Sequence, residues 1–371
     1  MKACDGHEEQ MSASTGRLVN IDALRGVAAF AVVLFHLTGG MKAFVAGPTA
    51  LNFFPAFGYA GVFLFFVISG FCIHLRWAKR KAAGDIDPAI DFIPFWKRRW
   101  VRLYPAYIAT LVLFIVWRYY TGELETGGFF IYDVVSHFSM LHNLDGRTVY
   151  SFNGVLWTLA IEEQLYLLYF VLLALRKRLG WTTTLIVCFS MRFVWFGICY
   201  AIRPFHDLPF SEGALSNWWI WALGALAVEA YFGLIKLPRW TAAPVLGAIS
   251  LTIAGVLNYG MFAFNNNLWA RAAVLTEPLF WGFGFFAFVN RVMMYEGKFD
   301  SVVIRAAAFI GLFSYSVYLT HEFVLESLKV MPGVFLAAAC LVFAYLFYLL
   351  FERPFLAKKT DHVVPANEVA T

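Results

Sequence analysis

Charge is scarce in this sequence. Lysine, arginine, aspartate and glutamate make up only 14% of the 371 residues, against about 25% in an ordinary soluble domain, which excludes a solvated surface over most of the chain. Cysteine is scarce too: Cys4, Cys72, Cys188, Cys199 and Cys340 show no CxxC spacing, so neither a disulfide framework nor a zinc site is supported. No repeat of fixed period and no low-complexity tract occurs. The opening MKACDGHEEQMSASTGR lacks the basic start of a secretory signal, so the first apolar run is expected to stay as a helix. Nowhere do exposed aromatics interleave with base-reading residues, so the net charge of +5 does not point to nucleic acid.

What the chain has instead is apolar surface: 61% hydrophobic and 19% aromatic residues. Apolar runs approaching the roughly 20 residues that cross a bilayer core recur along nearly the whole length. The expected fold is an all-α integral membrane protein, a polytopic bundle of about ten transmembrane helices around a central polar cavity. The spans fall near 19–40, 57–77, 103–121, 153–175, 181–202, 215–235, 241–260, 271–290, 304–327 and 333–352. Residues 1–17 and 357–371 are expected as disordered cytoplasmic tails flanking a transmembrane domain over 18–356.

Orientation follows from the basic clusters. RWAKRK (76–81), KRRWVR (97–102), RKR (176–178) and KK (358–359) all fall on the side of the amino terminus, while the opposite loops hold isolated cations. Cytoplasmic loops carry such excess, so both termini are expected in the cytoplasm. The longest opposite connection, 121–154, is a candidate lid whose middle could lie along the membrane as an amphipathic helix.

Ionisable residues inside apolar runs are costly without a partner or water, and each raises a functional hypothesis. Arg25 and His36 are eleven residues apart, within roughly 20° of one helical face and about 16.5 Å along it. A snorkelling arginine and a bundle-bonded histidine would be the plain structural alternative. Arg99 and Arg102 stand three apart where the chain re-enters the membrane; they serve orientation, or form a fork for phosphate. In WTLAIEEQLYLLYF (157–170), Glu162 and Glu163 point about 100° apart, so at most one shares a narrow polar seam, with Tyr166 one turn from Glu162. Ser314, Tyr318 and His321 form a polar stripe that signals either a hydrated cavity or interhelical bonding. Ser69-Gly70 permits close backbone approach or a helix break. Arg192, Glu229 and Glu277 could line the same cavity, and His74 with Arg76 belongs to the cytoplasmic interface.

Together DALRG with the following histidine, FFVISGF, RRWVRLYP, WTLAIEEQLY and FSYSVYLTH, in this order over about 18–356, resemble the acyltransferase-3 family of membrane acyltransferases. The resemblance implies transfer of an acyl group, often acetyl, from cytoplasmic acyl-coenzyme A to a hydroxyl of a cell-surface or lipid-linked glycan. Carried over residue by residue, it puts the family's helix-1 pair on Arg25 and His36, its paired arginines on Arg99 and Arg102, and its glutamate on Glu162. Arg25, Arg99 and Arg102 would then hold the donor's phosphates, and His36 would be the general base with Glu162 orienting it. Ser69, Trp157, Tyr166, Ser314, Tyr318 and His321 would line the acceptor side of the cavity. A covalent acyl-histidine or acyl-serine route through Ser69 is the second mechanism. No metal and no tightly bound cofactor is expected, acyl-coenzyme A being a substrate. Expected partners are the glycan acceptor and membrane lipids, with a second copy or separate glycan-assembly proteins left open. A cell inner membrane is the expected location. The rival class is a transporter or flippase of an anionic or glycolipid solute, which also needs a basic mouth but shows no inverted repeat here.

Overall fold

The structure, a computed structural model, describes residues 18–203, 206–264, 268–298 and 300–356. The expected tails, with Cys4 and the 358–359 lysine pair, lie outside the described residues. Among those residues there is no strand, and the helices are α1 (Val19–Leu37), α2 (Gly40–Ala46), α3 (Ala50–Ala56), α4 (Gly61–Ala82), α5 (Phe92–Thr121), α6 (Gly128–Phe138), α7 (Trp157–Ile202), α8 (Ala214–Tyr231), α9 (Pro244–Ala263), α10 (Leu268–Met293), α11 (Val302–Leu312), α12 (Ser314–Ser327) and α13 (Gly333–Phe347). A lipid-facing backbone must satisfy its own hydrogen bonds, and helices do this within each segment.

Among the described residues, seven helical stretches are long and apolar enough to cross a membrane, or eight if the bent α11–α12 pair is one span. The chain is thus a multi-pass all-α membrane protein. Two of the ten expected spans are not separate by that measure. One is half of α7, whose 46 residues would reach about 69 Å, twice a bilayer core. Gly180 (φ 73°, ψ 175°) interrupts it, a left-handed conformation that glycine adopts without a Cβ clash. Beyond this break the chain runs back: His206 Nε2 lies 2.6 Å from the Leu144 carbonyl, and the Gly146 amide donates to Asp207. The other is α8, whose Asn217, Glu229 and tryptophans dilute its hydropathy although most of it is buried.

α4 is the most enclosed of the candidate spans. It packs on α8 through reciprocal glycines: a Cβ on Gly70 would stand 1.9 Å from the Trp221 carbonyl oxygen, and one on Gly224 1.9 Å from that of Val67. Gly26 of α1 and Gly311 of α11 meet in the same manner. Small residues replace hydrophobic drive where both helix surface and lipid are apolar. Ser69-Gly70 therefore marks close approach, with α4 unbroken. The break lies elsewhere, at Phe313, where α11 and α12 bend by 75°.

Buried charges away from the main cavity hold the frame. Pro278 in α10 removes the hydrogen bond that the Val274 carbonyl would accept. Arg192 supplies the missing donors, to Val274 (2.7 Å), Leu275 (2.9 Å) and Ser216 (2.9 Å). Glu277 accepts from Tyr59, Asn258 and Trp281. His74 is fully buried. Its Nε2 lies 2.8 Å from Glu229, which also takes a bidentate bond from Arg176 at 2.6 and 2.7 Å. Arg192, Glu229 and Glu277 thus serve interhelical bonding and do not line the cavity described next.

Candidate active site

Two polar clusters lie at different heights along α1. The inner one is a cavity of about 140 Å³. α1 contributes Arg25; α4 gives Ser69 and Cys72; α5 gives Arg99 and Arg102; α7 gives Thr158, Glu162 and Tyr166; α12 gives Ser314, Tyr315 and Tyr318. The three guanidinium groups from two helices meet because Arg99 and Arg102, three apart on α5, share its inward face. Their neighbours Lys97 and Arg98 are exposed, as orientation signals should be. The Nε atoms of Arg99 and Arg102 are buried without a hydrogen-bond partner, and such a donor costs about 1–3 kcal/mol or more when charged. An anion in the cavity would satisfy both.

The bend at Phe313 adds to this electropositive character. It starts α12 at Ser314, on the cavity wall, so a helix amino terminus with its partial positive charge opens there. Countercharge comes from Glu162 in the cavity lining and from Glu352 outside it. Glu162 accepts from Tyr166 at 3.2 Å. Glu352, buried by the π-helical turn after α13, accepts from Ser316 at 2.6 Å. Glu163 is turned away from the cavity, and neither of its oxygens has a hydrogen-bond partner among the described residues. This divides the adjacent glutamates as their 100° separation requires.

The outer cluster consists of His36, His321 and Glu322. Its proton count can be read from its contacts. His321 Nδ1 lies 2.8 Å from the Tyr318 carbonyl and 3.2 Å from that of Val317, so it carries a proton and leaves Nε2 as an acceptor. His36 Nδ1 faces the Val32 carbonyl at 3.0 Å and His321 Nε2 at 3.2 Å. Both are acceptors, so that nitrogen also carries a proton. A neutral His36 would then turn a bare Nε2 toward Glu322 Oε1, 3.5 Å away. That nitrogen is free to accept a proton, and the carboxylate opposite can balance the charge that results. Glu322 is fixed by its other oxygen, which accepts the Gly154 amide at 2.7 Å. His36 remains 29% exposed, so a reactant can reach it, whereas His321 is fully buried. The three residues also present ligand atoms within 4.8 Å of one another, a spacing at which a metal ion could supply the same positive charge.

Arg25 and His36 share a face of α1, as their spacing requires, yet they do not line one cavity. Ala29, Val32 and Val33 are buried between them. Tyr318 stands at the junction: it lines the inner cavity, its ring centroid is 5.9 Å from that of His321, and its hydroxyl accepts from Thr158 and donates to the Val155 carbonyl. The expected His36–Glu162 pair is not formed; the carboxylate beside His36 is Glu322. Trp157 is not among the residues lining the inner cavity and packs against the apolar core. His321 belongs with His36 and not with the cavity lining. Cys72, Thr158, Tyr315, Glu322 and Glu352 were not expected. Glu322 was adjacent to a chosen residue, but a stripe counted from 314, 318 and 321 passes it by about 100°.

The described residues thus form an all-α bundle with a basic internal chamber and, beyond it, a half-buried His36 beside a buried His321. Residues 18–351 match the acyltransferase domain of the acyltransferase-3 family, and the chain belongs to that family. A stretch of 179 residues, 40% of the chain, is 29% identical to the peptidoglycan O-acetyltransferase OatA of Listeria monocytogenes, covering 23% of that protein. A stretch of 160 residues, 41% of the chain, is 29% identical to the O-acetyltransferase OatA of Staphylococcus aureus, covering 24% of it. A third relative, protein 2 in the picA locus of Rhizobium radiobacter, is 36% identical over 100 residues, 26% of this chain and 44% of that one. The chain thus spans less than half the length of these curated relatives. No solved structure matches it.

Proposed function

We propose that the protein is an O-acyltransferase of a bacterial inner membrane that moves an acetyl group from cytoplasmic acetyl-coenzyme A to a hydroxyl of a cell-surface or lipid-linked glycan. One observation carries this reading: Arg25, Arg99, Arg102 and the amino terminus of α12 converge on one chamber, with two guanidinium nitrogens awaiting an acceptor. Coenzyme A offers phosphates suited to that set, since guanidinium forks bind phosphate in bidentate fashion. Both OatA relatives are named as O-acetyltransferases, which supports acetyl as the group and a glycan as the acceptor. The chamber lies at the end of the bundle bearing the basic clusters 76–81, 97–102 and 176–178, which supports a cytoplasmic mouth.

In this reading the pantetheine arm passes Tyr318 to bring the thioester toward His36. The acceptor hydroxyl gives its proton to His36 Nε2 while its oxygen attacks the acyl carbon. The C–S bond breaks, and the proton returns to the departing thiolate. Glu322 opposite Nε2 stabilises the imidazolium, and His321 holds the ring from the other side. Transfer of label from radiolabelled acetyl-coenzyme A to glycan by the purified chain in vesicles tests this. Passage of an intact solute with no label transferred would overturn it in favour of transport.

A further inference from the structure

A second cavity, about 220 Å³, lies at the end of α5 opposite the guanidinium chamber. It is formed where α5 ends and the 121–154 connection folds back over it, and nothing in the donor chemistry uses it. Phe129, Phe130 and Phe152 supply its apolar walls; Glu123, Glu125 and Asp133 supply acceptors. Asp133 is only 5% exposed. Its Oδ1 accepts from Ser151 at 2.8 Å and faces His137, while Oδ2 accepts no hydrogen bond among the described residues. The side chains of Glu123 and Glu125 have no hydrogen-bond partner among the described residues either.

The two cations of this cavity are already engaged. Arg147 makes a bidentate bond to Asp145, with contacts of 2.6 to 3.2 Å, and lies over the Phe129 and Tyr132 rings. That guanidinium holds the Asp145 carboxyl well below the usual carboxylate range. Arg118 donates to the Phe152 carbonyl at 3.1 and 3.2 Å and acts electrostatically on Glu322 and Glu326. With Arg147 balanced by Asp145, the lining holds three carboxylates against the one charge of Arg118, an acidic excess beside aromatic faces. Carboxylates accept hydroxyl protons and repel anions, and aromatic rings receive the apolar faces of sugar rings.

The cavity is also tied to the outer cluster by the chain itself. Phe152 is in its wall, and Gly154, two residues on, donates its amide to Glu322, the residue facing His36. Two residues span at most about 7 Å.

We propose that this outer cavity is the acceptor subsite, that it takes an uncharged sugar through its hydroxyl groups, and that it discriminates against sugars bearing carboxylate or phosphate. The proposal rests on the acyltransferase reading for its purpose, but its test reads binding directly. Saturation-transfer NMR on the detergent-solubilised full chain would compare N-acetylchitotetraose, its cationic counterpart chitotetraose, and tetragalacturonic acid. The neutral tetrasaccharide binds at least about tenfold more tightly than the anionic one. Glu125→Ala and Phe129→Ala, both near the surface and checked for monodispersity, each weaken neutral binding by about fivefold or more. Glu123→Gln with Glu125→Gln narrows the discrimination against tetragalacturonic acid and weakens any binding of the cationic sugar. Equal binding by variants and parent, preference for the anionic sugar, or unchanged discrimination in the double glutamine variant would each overturn the subsite. His36→Ala should keep neutral-sugar binding. Transfer that persists in that variant would count against the catalytic reading and leave the subsite standing.

Discussion

The inner chamber and the outer imidazole cluster draw on the same two helices, α1 and α12, yet they are opposite in kind. The inner one holds guanidinium groups, whose charge does not vary with pH in proteins, with donors left without acceptors. The outer one can take up a proton: a neutral His36 turns a bare Nε2 toward the Glu322 carboxylate. One region is fixed to hold charge and the other to exchange it. A single helix face joins them, with Tyr318 at the junction.

If that division is right, mutations at the two ends break different kinetic constants. The largest effect belongs to His36→Ala, which removes the group placed to take the proton; transfer should fall by about 10²–10⁴-fold. Steady-state assays with radiolabelled acetyl-coenzyme A read this, and residual transfer within tenfold of the parent would take His36 out of the chemistry. Glu322→Gln comes next. It keeps shape but removes the charge opposite Nε2, and a charge-assisted bond of about 1.5–3 kcal/mol corresponds to a loss of about 10–100-fold in kcat. Glu162→Gln is the informative control. Should it cost more kcat than Glu322→Gln, the partner expected from sequence would be restored.

The inner end should fail in a different constant. Arg99→Ala with Arg102→Ala leaves the imidazoles untouched but removes two donors aimed into the chamber. KM for acetyl-coenzyme A should rise by about 10–100-fold, by the same energy per charged hydrogen bond, with KM for the acceptor unmoved. A rise in acceptor KM instead would erase the distinction between the two ends.

Much of this arrangement is legible in the sequence, and what is not has physical causes. Hydropathy alone gives a multi-pass helical protein, and the basic clusters predict where Arg25, Arg99 and Arg102 gather. The turn between the fourth and fifth expected spans is legible at Gly180, since no single helix of that length fits a bilayer. The 75° bend at Phe313 is hidden, because no proline marks it and the apolar pattern runs through it. The pairing of His36 is hidden for a related reason. Helical spacing fixes which residues of one helix share a face, but the rotation of α12 against α1 decides whether Glu162 or Glu322 meets that face. Even the shared face of Arg25 and His36 misleads, since Ala29 and Val32 fill the interval between them.

The smallest effect expected lies in the outer connection and sharpens the contrast in pH behaviour. His142 is fully buried and stacked on His137, with centroids 3.9 Å apart and an angle of 8°, and neither of its ring nitrogens has a well-directed hydrogen-bond partner. Burial first, and the neighbouring imidazole second, push its pKa well below the ordinary value of 6.5. The folded loop therefore resists a proton that the opened loop accepts. Its stability is complete above about pH 6.5 and declines as pH falls below that, by at most about 1.4 kcal/mol per pH unit for one proton. Hydrogen exchange of residues 139–156, corrected for intrinsic rates, should speed up by no more than about tenfold per unit between pH 6.5 and 5. His142→Gln, which carries no titrating group, should flatten that dependence. The guanidinium groups of the chamber keep their charge over the same range, so hydrogen exchange of residues 92–102 should stay level while the outer connection loosens. Loosening at both ends together would mean that the two ends open as one unit.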